Sequence, residues 1–309
     1  MNVRKYFIYL TIILAILFSY PSRAFTSAEE RKEVTYKLNR DGKVYLENIA
    51  GNISVTSWNK DRIRIHAIKK ARREMDLDDV SIDIHQYDNG NIRIITRHEK
   101  TFSFFNSTGA SVDYEILLPE KAQIKIKTIS GNVNVKEIGG FLNISTVSGE
   151  IDVIIARNGI KCSSVSGDID LRDTTGNAEL KTVSGDMSVA NIKGSVVAKT
   201  VSGDIEIGEL LNAEEVVLDT TSGDVDLTSE INTGGVYEID TFSGDIRLIL
   251  PSGSNFKLNV KTSSGNLDTD FSLMMQGNIG RKRLQGVVGR GGAYINISTF
   301  SGDIQIKKR

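Results

Sequence analysis

A short unit that recurs with the same polarity pattern decides the fold of this chain. Residues 198–207 read AKTVSGDIEI, and residues 180–189 and 162–171 read LKTVSGDMSV and CSSVSGDIDL. On both sides of each Ser-Gly-Asp triplet, apolar and polar residues alternate, which is the pattern of a strand with one buried face. The unit therefore predicts a strand, a tight corner and a second strand.

The unit occurs nine times and organises residues 126–309. Successive serines of the Ser-Gly pairs are 18, 18, 18, 18, 20, 21, 21 and 37 residues apart. The residue two positions after each glycine is apolar, and the residue two positions before each serine is Thr or Ser. The corner glycines, which supply the unusual backbone angle of a tight turn, are Gly131, Gly149, Gly167, Gly185, Gly203, Gly223, Gly244, Gly265 and Gly302.

A repeat of this length cannot bury its inner face alone, so it has to stack on its neighbours. A parallel β-solenoid, in which each repeat forms one rung, and a chain of antiparallel hairpins both achieve this. Identical columns at near-constant spacing favour the solenoid, because a coil keeps equivalent residues above one another at about 4.8 Å per rung. Hairpins would also favour Asn-Gly or Gly at two sites per repeat. The sequence thus predicts an all-β, parallel β-solenoid with rungs of 18–21 residues.

The first 24 residues have the layout of a secretory signal peptide. Arg4-Lys5 precedes an apolar run from Tyr6 to Tyr20, and Ser22-Arg23-Ala24 places small residues at positions −3 and −1 of a cleavage site. The run is short for a membrane-spanning helix of about 20 residues, although an uncleaved N-terminal anchor is the alternative. We therefore predict an extracytoplasmic body that is periplasmic, secreted or displayed on the cell surface.

The rest of the chain divides by the regularity of its pattern. Residues 25–125 alternate less strictly and are predicted to form an N-terminal β region of the same architecture. Residues 126–309 are predicted to form the regular solenoid. The double-length interval before the last repeat contains a cluster of glycines and basic residues, so it predicts a rung with an inserted, basic, Gly-rich loop near 277–292.

Composition and spacing argue against catalysis. Three His and one Cys leave few candidates for acid–base or nucleophilic chemistry, and no Ser-Gly-Asp copy has a distinctive base beside it. Cys162 falls in an apolar column and is predicted to be buried and unreactive. We expect no catalytic residues and no cofactor. The alternative is a carbohydrate-active β-helix enzyme, in which rows such as Asp152, Asp170 and Asp226 would mimic an acidic catalytic cluster.

The acidic corner column is a candidate calcium site. Stacking would bring five consecutive carboxylates within a few Å of each other, and a calcium ion bound by oxygen ligands would relieve their repulsion. The alternative is that each side chain bonds a nearby backbone N–H in an Asx-type turn. Asn132 and Asn266 keep that geometry without the charge. The candidate ligands are Asp168, Asp186, Asp204, Asp224 and Asp245.

Charge is also segregated along the chain. Residues 126–270 hold 22 acidic and 11 basic side chains, whereas residues 271–309 hold 7 basic and 1 acidic. The basic end is a candidate contact for anionic lipid or an envelope polymer, through Arg281, Lys282, Arg283 and Arg290. With 7% aromatic residues and a net charge of −1, we expect no nucleic-acid partner.

Three features together resemble a bacterial family of β-strand repeats that is named for a proposed role as an adhesin and has no established function. They are the Thr-Val-Ser-Gly-Asp-Ile-x-Ile unit, the Leu-Pro pairs at Leu118-Pro119 and Leu250-Pro251, and the signal peptide. The resemblance covers about residues 34–309. It implies an extracytoplasmic β-solenoid, with adhesion by analogy, and supplies no catalytic residues. The resulting hypothesis is an exported, non-enzymatic solenoid that binds or scaffolds the cell envelope through a polymer, a polysaccharide or anionic lipid.

Overall fold

The chain is built of short β-strands. A computed structural model describes residues 28–87, 90–98, 109–275 and 283–309, so the predicted signal peptide lies outside the described residues. Within the described ranges, the one helical element is a 3₁₀ turn at Glu74–Asp76. No helix in this part of the chain has the length and apolar character needed to cross a membrane.

The strands follow one another at short intervals. In chain order they are β1 (Ala28–Lys37), β2 (Lys43–Glu47), β3 (Ile53–Trp58), β4 (Arg62–Ala71), β5 (Val80–Gln86), β6 (Ile92–His98), β7 (Ser111–Pro119), β8 (Gln123–Lys127), β9 (Val133–Ile138), β10 (Leu142–Ser145), β11 (Ile151–Ala156), β12 (Ile160–Ser163), β13 (Ile169–Thr175), β14 (Ala178–Lys181), β15 (Met187–Lys193), β16 (Val196–Lys199), β17 (Ile205–Leu211), β18 (Glu215–Ser222), β19 (Val225–Ser229), β20 (Val236–Ser243), β21 (Ile246–Leu250), β22 (Phe256–Ser264), β23 (Leu267–Thr269), β24 (Met274–Met275), β25 (Arg283–Val288), β26 (Ala293–Ser301) and β27 (Ile304–Lys308).

Two long sheets face each other across one core. Sheet A has the strand order β1-β4-β7-β3-β9-β11-β13-β15-β17-β19-β21-β27-β23, and sheet B has the order β24-β25-β22-β26-β20-β18-β16-β14-β12-β10-β8-β2-β6-β5. Each regular rung contributes one strand to sheet B, turns at the Ser-Gly-acid corner and contributes the next strand to sheet A. At about 4.8 Å between strands, the thirteen strands of sheet A give a rod roughly 60 Å long.

The rungs stack in parallel and in register, which confirms the predicted solenoid. In sheet A, Ile151 pairs with Ile169, and Ile169 pairs with Met187. The apolar columns on both sides of the corners are buried and form one continuous core along the rod. A single repeat would be only marginally stable, and each repeat is therefore stabilised by burying its apolar residues together with those of both neighbours.

The rungs at the two ends are not stacked in chain order. The rung of β26 and β27 lies between the rung of β20 and β21 and the rung of β22 and β23. At the other end, β2 and β3 lie between β6 and β7 on one side and β8 and β9 on the other. Antiparallel pairs of β1 with β4, β4 with β7, and β5 with β6 extend the N-terminal end.

The segment predicted to be an inserted basic loop is different in the structure. Arg283–Val288 is strand β25, which pairs antiparallel with β22 and with the short β24. Residues 276–282 lie outside the described residues. A loop was expected because glycines and basic residues dominate this interval. The strand forms there because β22 is otherwise the last long strand of sheet B, and β25 pairs with its free edge.

We predict that Ile169→Asp destroys the stacked core. Ile169 is fully buried between the equivalent residues of two neighbouring rungs, so the substitution places a carboxylate where no water or cation reaches it. We expect the free energy of unfolding to fall by at least about 3 kcal/mol in urea denaturation.

Ile154→Asp is the matched control. Ile154 is on the outward face of β11, opposite Arg172 of the next strand. Its substitution should cost less than about 1 kcal/mol. Equal losses for the two variants would contradict the assignment of the inner face.

Candidate functional site

The backbone of the Ser-Gly-acid corner forms its own hydrogen-bonded ladder. Each corner serine pairs with the serine of the next rung, from Ser130 to Ser222, in parallel bridges. At a typical corner the Ser184 N–H donates to the Val165 carbonyl (2.9 Å), and the Gly167 N–H donates to the Ser184 carbonyl (3.1 Å). The corner thus continues the stacking of the two sheets around the bend.

One amide in each corner has no carbonyl partner in this ladder, and it belongs to the acidic residue. The Asp204 N–H donates to the Asp186 Oδ1 of the preceding rung (2.8 Å), and the Asp186 N–H donates to the Asp168 Oδ1 at the same distance. Because an unpaired backbone N–H is costly, the column needs a short side chain with an acceptor oxygen. This requirement explains why Asp and Asn recur there.

This side-chain ladder runs almost the full length of the solenoid. It links Asp113 to Asn52, Asn52 to Asn132, Asn132 to Glu150, and then Asp168 to Asp186, Asp204, Asp224, Asp245, Asp303 and Asn266, with distances of 2.7–3.1 Å. The Asx-type bond expected from the sequence is therefore present, but it reaches the next rung and not its own turn. In addition, Glu150 Oε2 accepts a bond from Asn132 Nδ2.

The five candidate calcium ligands stand in one column, and each is also an acceptor in this ladder. Among the described residues, no three His, Cys, Asp or Glu side chains come together in an arrangement suited to a metal ion. One oxygen of each carboxylate is already bonded to an amide. Calcium binding at this column stays a prediction.

The corner glycines are required by close packing as well as by backbone angle. Gly203 has φ +153°, and a Cβ there would lie 2.0 Å from the Gly185 carbonyl oxygen of the rung beneath. Some members of the buried Thr column add a contact from inside. Thr220 and Thr241 donate to the glycine carbonyls of the preceding rungs at 3.2 Å. These two hydroxyls bond carbonyl oxygens because the corner amides are already paired.

An exposed apolar column follows the same corner. The residue just before each corner serine points to solvent, and its exposed fraction is 46–57% at seven positions. We call this column the apolar stripe: Ile129, Val147, Val165, Val183, Val201, Phe242 and Phe300. The rings of Phe242 and Phe300 stack at 4.9 Å between centroids with 2° between their planes. The stripe was not predicted from the sequence, although the Val of each Thr-Val-Ser-Gly unit breaks the alternation and was a usable signal.

Five consecutive rungs carry a strained residue near the end of their strand in sheet A. Glu137, Ile155, Asp173, Asn191 and Glu209 all have φ between +54° and +66°, which is uncommon for residues other than glycine. All of them except Glu137 line a shallow groove of about 480 Å³. The residue types along the column differ so much that it could not be predicted from the sequence.

The structure describes two of the four predicted anion-binding residues. Arg281 and Lys282 lie outside the described residues. Arg283 is the first residue of β25, Arg290 lies two residues beyond its end, and both are exposed. Strand β25, which stands between them in the chain, spans about 17 Å. Nearby, Lys307 lies 2.5 Å from Asp268, which neutralises part of the basic end.

The candidate acidic row is on the outward face of sheet A, and the thiol of Cys162 is in the core. Asp152 and Asp170 are paired neighbours on the outward face of sheet A. Partial burial, and then the Asp152 charge, raise the pKa of Asp170. Cys162 is buried in the core, and that burial raises the pKa of its thiol. The predicted buried thiol is thus where the sequence placed it.

Together these features define a two-sheet, parallel β-solenoid whose corners are tied by a side-chain-to-backbone ladder. The family model of Toastrack DUF4097 matches residues 43–307. The chain therefore belongs to the Toastrack family, a domain family of unknown function. This match confirms the family resemblance predicted from the Ser-Gly-Asp units.

Seven chains of known structure also match. A proposed cell adhesion protein from Clostridium sporogenes ATCC 15579 is 12% identical, with a TM-score of 0.32 over 91% of this chain and 100% of that chain. A proposed adhesin from Bacteroides fragilis NCTC 9343 is 15% identical, with a TM-score of 0.45 over 90% of this chain and 97% of that chain. A comparison with curated proteins found no match.

We predict that the corner carboxylate acts as an acceptor and that its charge is dispensable. Asp186→Asn keeps an oxygen that can accept the Asp204 N–H, so its free energy of unfolding should stay within about 0.5 kcal/mol of the parent. Asp186→Ala removes the acceptor and should cost about 1 kcal/mol. Urea denaturation of both variants measures the difference. A large loss for Asp186→Asn, equal to that of Asp186→Ala, would contradict this account.

Proposed function

We propose that this chain is an exported, non-enzymatic rod that binds or scaffolds components of the cell envelope, in the manner expected of an adhesin. Export is supported by the signal-peptide layout of residues 1–24. A role without catalysis is supported by the absence of a distinctive Ser-Gly-Asp copy with a base beside it. The calcium ladder and the basic end remain separate hypotheses within this proposal.

The apolar stripe is the observation that carries the proposal. Its Ile and Val side chains are about half exposed on consecutive rungs, so their spacing is that of the strands. Covering each side chain contributes roughly 1 kcal/mol. Seven such contacts give substantial binding energy only when they act together, because association itself costs several kcal/mol. A linear, repeated surface of this kind favours weak multivalent contact with an extended partner.

The stripe is costly to leave uncovered, which also supports a binding role. Soluble proteins seldom expose long contiguous apolar surfaces, and those that do commonly use them as interaction sites. Thr221 occupies the equivalent position between Val201 and Phe242. A β-branched polar residue therefore satisfies the corner geometry, and the fold itself does not require Val there.

We predict that Val165→Thr combined with Val183→Thr weakens binding without weakening the fold. The fluorescently labelled body of the protein, residues 25–309, is incubated with cells or isolated envelopes of the species that encodes it. Because Thr keeps the β-branched shape and removes two apolar contacts, we expect binding to fall about fivefold or more. The urea midpoint should stay unchanged.

Val197→Thr combined with Val217→Thr is the matched control, because both residues are on the outward face of sheet B and away from the stripe. This control should bind like the parent. Cell fractionation and the intact mass of the full chain test export, with cleavage expected after Ala24. Retention in the cytoplasm, turnover of an envelope polysaccharide, or equal binding by both double variants would contradict the proposed function.

A further inference from the structure

A pocket of about 440 Å³ opens on the outward face of sheet B, at the N-terminal end of the rod. Its volume is in the range of sites that bind small ligands. Val44 and Ile92 contribute to its floor from the edge of the core. The polar and aromatic residues that line it are Lys43, Tyr45, Tyr87, Asn91, Arg93 and Lys125.

The centre of the pocket is a row across three adjacent strands. Tyr45 of β2 pairs with Arg93 of β6 on one side and with Lys125 of β8 on the other. The Arg93 guanidinium lies 5.3 Å from the centroid of the Tyr45 ring. These three strands come from distant parts of the chain, and the non-sequential stacking of the end rungs brings them together.

The Tyr45 ring is held in place and stays neutral. Its hydroxyl donates to the Glu47 Oε2 at 2.7 Å. Burial, and then the bond and charge of Glu47, raise the pKa of Tyr45 to about 12. Tyr87, which is 44% exposed, lines the same pocket, and its ring meets the His85 ring edge-on with 4.7 Å between centroids.

The pocket carries three positive charges that are available to a ligand. Among the described residues, no carboxylate forms an ion pair with Lys43, Arg93 or Lys125. By contrast, Lys161, in the same outward row two strands from Lys125, pairs with Glu179 at 2.8 Å. Asp88 and Asn89, which follow Tyr87 in the chain, lie outside the described residues.

We propose that this pocket binds an acidic saccharide, a sugar unit that carries a carboxylate or a sulfate group. Aromatic side chains offer flat apolar faces to the C–H faces of a sugar ring, with a polar tip beside them. Arg93 and the two lysines would receive the anionic group in charge-assisted hydrogen bonds. A free inorganic anion would leave the tyrosine faces unused, and a neutral sugar would leave the cations unpaired.

This proposal rests on the proposed function, because an exported protein that binds the cell envelope would encounter acidic saccharides there. The pocket and the apolar stripe are separate surfaces made of different residues. A failure at the pocket can therefore be told apart from a failure of envelope binding.

Isothermal titration of the purified protein tests the proposal with four probes: an oligogalacturonate, a sulfated oligosaccharide, a neutral cello-oligosaccharide and inorganic phosphate. We expect at least one acidic saccharide to bind about tenfold more tightly than the neutral oligosaccharide and phosphate, and to weaken as salt is raised. The two acidic probes distinguish a carboxylate from a sulfate. No binding of either acidic saccharide, or equal binding of acidic and neutral sugars, would overturn the proposal.

Variants locate the site. Arg93→Gln and Lys125→Gln should each weaken binding of the acidic saccharide about five- to tenfold, and Tyr45→Phe should retain more affinity than Tyr45→Ala because the ring remains. Lys136→Gln removes one charge from the exposed face of sheet A and should change nothing. Unchanged affinity in Arg93→Gln and Lys125→Gln, with urea midpoints equal to the parent, would overturn the assignment. The stripe double variant should bind the saccharide normally.

Discussion

Parallel, in-register stacking is the constraint on which the rest of this structure depends. Once equivalent residues lie above one another, a column that is buried at one rung is buried along the rod, so the inner columns are apolar apart from the Thr column at the corner. The same stacking leaves one unpaired amide at each corner, because the bend interrupts the pairing of the two sheets. The carboxylate or amide of the preceding rung accepts it, as Asp186 does for Asp204. The Ser-Gly-Asp unit therefore allows each rung to bend between the two sheets while its backbone amides stay hydrogen-bonded.

Because the rungs are stacked in register, a side chain type that one rung exposes is repeated along the rod. A single half-exposed Val is ordinary, but Val147, Val165, Val183 and Val201 on consecutive rungs form a continuous apolar line. The pocket around Tyr45 arises in the opposite way, where the repeat pattern is weakest and each strand presents a different side chain. A regular stack with a distinctive end thus offers two kinds of surface, one suited to extended partners and one suited to a single sugar unit.

Much of the fold could be predicted from the sequence, and the failures have physical causes. The Ser-Gly-Asp spacing predicted the rungs, the buried columns and the buried Cys162, because each depends only on local alternation. The order of the end rungs could not be predicted, since stacking two rungs out of sequence buries the same columns as stacking them in sequence. The pocket could not be predicted from the sequence either, because Tyr45, Arg93 and Lys125 become neighbours only through that order. The exposure of the stripe valines could not be predicted from hydropathy alone, because it depends on how the corner turns these side chains outward.

Disulfide formation between engineered cysteines tests the central claim most directly. Phe242 and Phe300 are 58 residues apart in sequence but in register on adjacent strands, whereas Ser263, only 21 residues from Phe242, is two strands away. A disulfide requires Cα atoms about 4.4–6.8 Å apart. Peptide mapping after mild oxidation should therefore find a bond in Phe242→Cys/Phe300→Cys and none in Phe242→Cys/Ser263→Cys. The reverse result, or no bond in either variant, would contradict the stacked architecture described here.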